Sequence, residues 1–176
     1  LKERLHELEH QVRDMLVFAR GELPLTDRVT PAALMQSLQA AAATHIQEAS
    51  VRWQCDSHYG ELLCNRDTLV GALLNLIENA TQASGPGARL KVHLYNRGDT
   101  LRLSISDSGS GIDPAVLQRL GEPFFTTKTN GTGLGLTVVK AVARAHQGEL
   151  QLHSRLGRGT CALITLPLFS CAVSAE

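Results

Sequence analysis

Apolar positions in the first twenty residues recur at alternating steps of four and three: Leu1, Leu5, Leu8, Val12, Met15 and Ala19. A seam of period about 3.5 pairs helices into a coiled coil or bundle. Lys2, Glu3, Arg4, Glu7, Glu9, Arg13 and Asp14 stand between the seam positions as a solvated face. Such a stripe implies a partner helix, in this chain or another. Gly21, Pro24 and Pro31 interrupt it, so 21–30 reads as a linker with a short strand around 27–29.

Beyond the linker the periodicity is mixed. Thr30-Pro31 opens a helix to about Gln47, with Thr30 as N-cap and Pro31 in the first turn. Segments 51–56 and 61–64 read as a hairpin around His58-Tyr59-Gly60. Segment 65–84 is a helix with Leu69, Leu73, Leu76 and Ile77 on its apolar face, stopped by Ser84-Gly85-Pro86-Gly87. Segments 90–95 and 101–106 alternate apolar and polar residues at period two, as half-buried strands do, and 96–99 joins them. Asp113-Pro114 starts a short helix to about Leu120; a loop runs to Gly133, then a helix to about His146. Strands 149–154 and 161–166 flank a turn at 157–159, and 170–176 reads as a frayed tail. The order predicts an α+β two-layer sandwich, a mixed and mostly antiparallel sheet against helices. No internal repeat is visible.

The 176 residues suit one domain with an appendage: 1–20 as a helix, 21–30 as linker and first strand, and 31–169 as the domain. With 43% hydrophobic residues the chain can bury a core. Lys plus Arg and Asp plus Glu number 17 each, leaving no basic excess for nucleic acid. No run of about 18 apolar residues and no export signal occurs, so the expectation is a cytoplasmic segment without a membrane span. Cys55, Cys64, Cys161 and Cys171 form no C-x-x-C pair and read as reduced thiols rather than a disulfide framework or a zinc site.

Candidate chemistry follows the glycines, which cluster at Gly109 and Gly111, at Gly131, Gly133 and Gly135, and at Gly157 and Gly159. Clusters serve backbone that approaches a ligand closely or takes positive φ. The run 131–136 leaves a loop and enters a helix, where free N–H groups and the dipole favour phosphate. It lacks the preceding strand of a dinucleotide fingerprint and the G-K-[ST] ending of a Walker loop. Asp107 ends a strand with glycines directly after it. Its carboxylate can receive the exocyclic amine of a base, or the segment can be a β-turn leading to a helix cap. Asn75 and Asn79 share one helix face amid leucines, where asparagine is intrinsically disfavoured. A neutral amide oxygen suits Mg²⁺, although a satisfied buried amide pair is the alternative.

In order, segments 75–79, 107–111, 123–125, 131–135 and 157–160 resemble the N, G1, F, G2 and G3 boxes of the GHKL (Bergerat-fold) ATP-binding domain, in the version of bacterial sensor histidine kinases. The resemblance covers about residues 25–168. Residues 122–128 with 131–136 are especially similar to the nitrogen-regulation type, and the whole resembles kinases controlling flagellar gene transcription.

The resemblance implies ATP and Mg²⁺ as cofactors. Asn79 would hold the metal, with Asn75 lining the phosphate pocket beside it. Asp107 would bind the adenine amine, with Gly109, Gly111 and Ile112 around the ring and Thr160 supporting that side. Phe124 and Phe125 would belong to an ATP lid, one of them as its anchor. Lys128 would reach the γ-phosphate. Thr127, Gly131, Thr132, Gly133, Leu134, Gly135 and Leu136 would line the phosphates from the lid and the helix start. Asn75, Glu78 and Lys128 are the catalytic candidates.

His10-Gln11-Val12-Arg13-Asp14-Met15 loosely imitates the family's phosphoacceptor box but departs at Gln11 and Met15. In the family it resembles, a second hairpin helix separates the acceptor from the catalytic domain, and here only a linker follows Arg20. Residues 1–20 therefore read as that second helix, with the acceptor histidine upstream of a truncated chain. Implied partners are ATP or ADP, that histidine helix, a response regulator, and a second copy through 1–20. Two competing readings remain open. One is an ATPase of the gyrase, chaperone or mismatch-repair branch, whose glutamate base would stand where Asn75 is, with Glu78 as its nearest substitute. The other is a non-catalytic dimerisation module built on the first seam.

Overall fold

The structure is a computed structural model that describes residues 23–46, 49–129 and 131–169. The first apolar seam, His10 and the tail 170–176 lie outside the described residues.

The described residues form eleven elements: β1 (Asp27–Val29), α1 (Pro31–Ala42), β2 (Ser50–Asp56), β3 (Leu62–Cys64), α2 (Arg66–Ser84), β4 (Arg89–Arg97), β5 (Thr100–Asp107), α3 (Pro114–Arg119), α4 (Gly135–Ala145), β6 (Glu149–Arg155) and β7 (Gly159–Pro167). Five strands form one sheet in the order β2-β4-β5-β7-β6, and β1 pairs with β3 in a separate two-stranded sheet. Helices cover one face, so the α+β sandwich expected from the periodicity is the architecture observed.

Local chemistry explains the helix starts. Thr30 caps α1, its hydroxyl accepting from the Ala33 N–H at 3.2 Å, with Pro31 in the first turn. Asn65 caps α2 by accepting from the Thr68 N–H at 3.2 Å, and Gly85 at φ +68° ends it. The four apolar residues expected on the face of α2 are all buried. They pack in one cluster with Leu90, Val92 and Leu94 of β4 and Leu101, Leu103 and Ile105 of β5. Burial of such side chains contributes roughly 1.5–3 kcal/mol each.

The hairpin expected from 51–56 and 61–64 does not form. β2 instead runs parallel to β4, Val51 opposite Leu90 and Cys55 opposite Leu94, while β3 pairs antiparallel with β1. A lone hairpin would leave Val51, Trp53 and Cys55 uncovered, whereas the sheet packs all three against its core. The parallel pairing is possible because α2 lies between β2 and β4 in sequence and supplies the crossover. α1 also stops at Ala42, short of the Gln47 expected. β4 and β5 form the antiparallel hairpin that their alternation predicts, with Gly98 at φ +58° in the turn.

Candidate functional site

The asparagines of α2 sit at positions 75 and 79 of one helix, and that helix face meets three other segments in turn. At Asn75 it meets the start of α4: the Asn75 amide donates to the Gly135 carbonyl at 3.4 Å. A Cβ on Gly135 would stand 3.2 Å from that amide nitrogen, so the glycine allows the close approach. One turn on, the Lys128 ammonium donates to Asn79 Oδ1 at 2.7 Å and to Gln82 Oε1 at 2.6 Å. Further along, Gly109 lies so close to the Ala83 carbonyl that a Cβ would come within 2.8 Å of it. The helix rises about 1.5 Å per residue, so these contacts span roughly 12 Å of one flank.

Asp107 ends β5 at the far end of that flank. Its Oδ1 accepts from the N–H groups of Gly109 at 2.8 Å and Thr160 at 3.2 Å. Oδ2 has no hydrogen-bond partner among the described residues. Gly159, at φ +97°, passes so near the Asp107 carbonyl that a Cβ would sit 2.0 Å from it. At Gly111, φ is +72° and the Cβ space is filled by the Arg155 carbonyl. Glycine at 109, 111 and 159 is thus demanded by backbone packed on backbone, which brings the turn after β5 against both α2 and the β6–β7 turn.

Ser154, absent from the sequence reading, joins these pieces. Its hydroxyl accepts from the Ile112 N–H at 2.8 Å, meets Thr160 Oγ1 at 2.8 Å and donates to the Gly159 carbonyl at 3.1 Å. Asp107, Ser154, Gly159 and Thr160, with Leu117 and Leu152, line an open concavity of about 530 Å³. One end of the site therefore offers a fixed carboxylate in a concavity whose lining mixes Leu117 and Leu152 with polar and basic side chains, Arg155 and Arg158 among them.

The loop between α3 and α4 is tied to α4 at its start, where Thr137 Oγ1 donates to the Gly121 carbonyl at 3.2 Å and Lys140 to that of Leu120 at 3.0 Å. Phe125 is half-buried under the Arg119 guanidinium, 4.2 Å from the ring centroid. Phe124 is 71% exposed and takes φ +66°, held there by its N–H donating to the Gly133 carbonyl at 3.1 Å. Of the two, Phe125 is the packed ring and Phe124 the exposed one. Gly133, at φ +71°, leaves room for the Phe124 backbone where a Cβ would not. Thr127 and Thr132 are exposed, Thr132 Oγ1 accepting from the Leu134 N–H at 3.4 Å, and Leu136 packs against the core. α4 begins without a side-chain cap, so no side chain of its N-cap residue, Leu134, takes its first N–H groups.

Two charged candidates have specific surroundings. Glu78 Oε1 pairs with His45 Nδ1 at 2.7 Å, which turns the carboxylate toward the end of α1. Burial lowers the Lys128 pKa, and the field of Glu78 opposes that shift. Asn79 and Gln82 already hold one cation through neutral oxygens, so their donor chemistry fits a divalent metal sharing oxygens with phosphates.

Residues 64–170 match the family described as "Histidine kinase-, DNA gyrase B-, and HSP90-like ATPase". The chain is 76% identical over 172 residues to the sensor protein kinase FleS of Pseudomonas aeruginosa, covering 98% of this chain and 43% of that protein. Among solved structures, a mycobacterial sensor histidine kinase, MprB, superposes at a TM-score of 0.71 with 28% identity, over 82% of this chain and 99% of that one. Full-length ShkA in complex with AMPPNP superposes at 0.78 with 25% identity, over 95% of this chain and 37% of ShkA.

Proposed function

The chain belongs to the histidine kinase-, DNA gyrase B- and HSP90-like ATPase family, as an ATP-binding catalytic domain of the sensor histidine kinase type, and from that premise we propose how its residues divide the work. It spans under half the length of FleS, so the activity of the longer protein is part of the proposal. On this reading the domain binds ATP with Mg²⁺ and delivers the γ-phosphoryl group to a histidine on a separate helix. A response regulator then takes the group from that histidine. Pairing of two copies through residues 1–20 belongs to the same reading.

The supporting observation is the convergence of the β5 end, the lid and the α4 start on one flank of α2. Asp107 is aimed by two backbone N–H groups, leaving Oδ2 to accept from the adenine amine. Thr160 and Ser154 hold the wall beside it. In this reading Asn75, which reaches the start of α4, and Lys128, with the first N–H groups of α4, take the phosphates. Asn79 would hold Mg²⁺, which when bound offsets the charge of the transferring phosphoryl group. The domain contributes position and field; the nucleophile comes from elsewhere.

The gyrase-like alternative needs a carboxylate base one turn before Asn79. That place is Asn75, whose amide cannot take a proton, and Glu78 faces His45. Calorimetric titration with AMPPNP, with and without Mg²⁺, tests the reading. Saturable, Mg²⁺-dependent binding that Asn79→Ala and Asp107→Asn each weaken is expected. Unchanged affinity in both variants would overturn the site assignment.

A further inference from the structure

Asn79 and Gln82 are three residues apart on α2 and so are neighbours on its surface. Lys128 arrives from the lid, far along the chain, and donates to both amide oxygens at 2.7 and 2.6 Å. Nothing in the local sequence demands this. A surface lysine ordinarily keeps its strongly hydrated ammonium in water. Here it gives up part of that hydration for two neutral dipoles, and among the described residues no carboxylate touches it. The surrounding chemistry is that of a cation seat.

An ammonium and Mg²⁺ cannot share the seat. Mg²⁺ takes oxygen ligands at about 2.1 Å, so a metal on Asn79 Oδ1 would lie within about 5 Å of the Lys128 nitrogen as now placed. Two cations that close, partly desolvated, repel strongly. Gln82 decides which of them is favoured, because its oxygen adds a second short bond to the lysine.

Building on the functional reading above, we propose that Gln82 is the second arm of a lid latch. With Asn79 it grips the Lys128 ammonium at the metal position, and metal-bound nucleotide enters by displacing it. The lid is pinned to α2 whenever lysine holds the seat. Displacement frees the ammonium for a phosphate oxygen, a charged acceptor stronger than either amide. Exchange of one cation for another thereby couples metal arrival to lid release.

Gln82 and Lys128 are both exposed, so Gln82→Ala, Lys128→Ala and the double variant should fold. Two readouts apply. Hydrogen exchange of lid amides 121–129 and 131–133, measured without nucleotide, should speed up in each single variant. Affinity for Mg²⁺·ADP should rise about three- to tenfold in each, the effect of removing one or two exposed charge-assisted bonds. ADP is the probe because it lacks the γ-phosphate that Lys128 would otherwise bind. The gain should shrink when Mg²⁺ is omitted, and the double variant should gain no more than the larger single one. Wild-type exchange and wild-type Mg²⁺·ADP affinity in Gln82→Ala, or additive gains in the double variant, would overturn the latch. A wild-type chain that binds neither ADP nor AMPPNP would instead overturn the functional proposal, while lid exchange would still decide the latch.

Discussion

The backbone N–H of Asn65 donates to the Nε2 of buried His146 at 3.1 Å, tying the cap of α2 to the end of α4. The other ring nitrogen, Nδ1, donates to the Val142 carbonyl at 2.7 Å. The imidazole is thus neutral with both nitrogens engaged, and a second proton would set two N–H groups against each other.

That geometry gives stability a pH dependence. Burial lowers the His146 pKa in the folded chain, and the smaller contribution of the hydrogen bond to the Val142 carbonyl opposes that shift. Below the unfolded value of about 6.5, the unfolded chain takes up a proton that the folded chain resists. The contribution is therefore full above about pH 6.5 and is lost as pH falls below it. Thermal melts from pH 8 to pH 5.5 should show falling stability. His146→Ala should cost about 2 kcal/mol at pH 8 and flatten that slope; an unchanged slope would show that another group carries it.

Asp107→Asn should weaken nucleotide binding about ten- to a hundredfold, or roughly 1.5–3 kcal/mol. Two N–H groups face Oδ1, so the asparagine must put its oxygen there and its NH₂ at the Oδ2 position. A donor would then face the adenine amine. Calorimetry with AMPPNP and with a purine triphosphate lacking the exocyclic amine checks this, the variant discriminating less between the two.

Ser154→Ala should lower nucleotide affinity about three- to tenfold and stability by about 1–2 kcal/mol, leaving Ile112 N–H and Thr160 Oγ1 without their shared partner. Titration and urea unfolding of the same sample measure both. Full affinity in the variant would mean that the wall beside Asp107 does not depend on this hydroxyl.

Gly159→Ala and Gly157→Ala form a matched pair. Both positions have positive φ, but a Cβ at 159 would overlap the Asp107 carbonyl, whereas at 157 nothing lies within 4 Å. The first should cost about 3 kcal/mol or more and reduce nucleotide affinity by displacing the β5 end; the second should cost about 1 kcal/mol, the conformational penalty alone. Equal costs in denaturant melts would contradict the packing described.

Much of the molecule is legible in one dimension because the rules involved are local. Period 3.6 marks the buried stripe of α2, period two marks β4 and β5, and Thr30, Asn65 and Gly85 delimit helices through bonds to residues within one turn. The unusual pair Asn75 and Asn79, and a carboxylate followed by glycines at Asp107, point to chemistry for the same reason: each is costly where it stands unless something binds there.

Tertiary structure decided what periodicity leaves undetermined, namely which surface covers an apolar face and which distant group meets a polar one. The alternation in β2 shows one apolar side but not its partner, so β4 rather than β3 could be found only in three dimensions. Lys128 on Asn79 and Gln82, Ser154 between Ile112 and Thr160, and Gly109 against Ala83 each join segments far apart in the chain. Their geometry depends on how the sandwich closes, because a contact between remote segments has no signature in the spacing of either one.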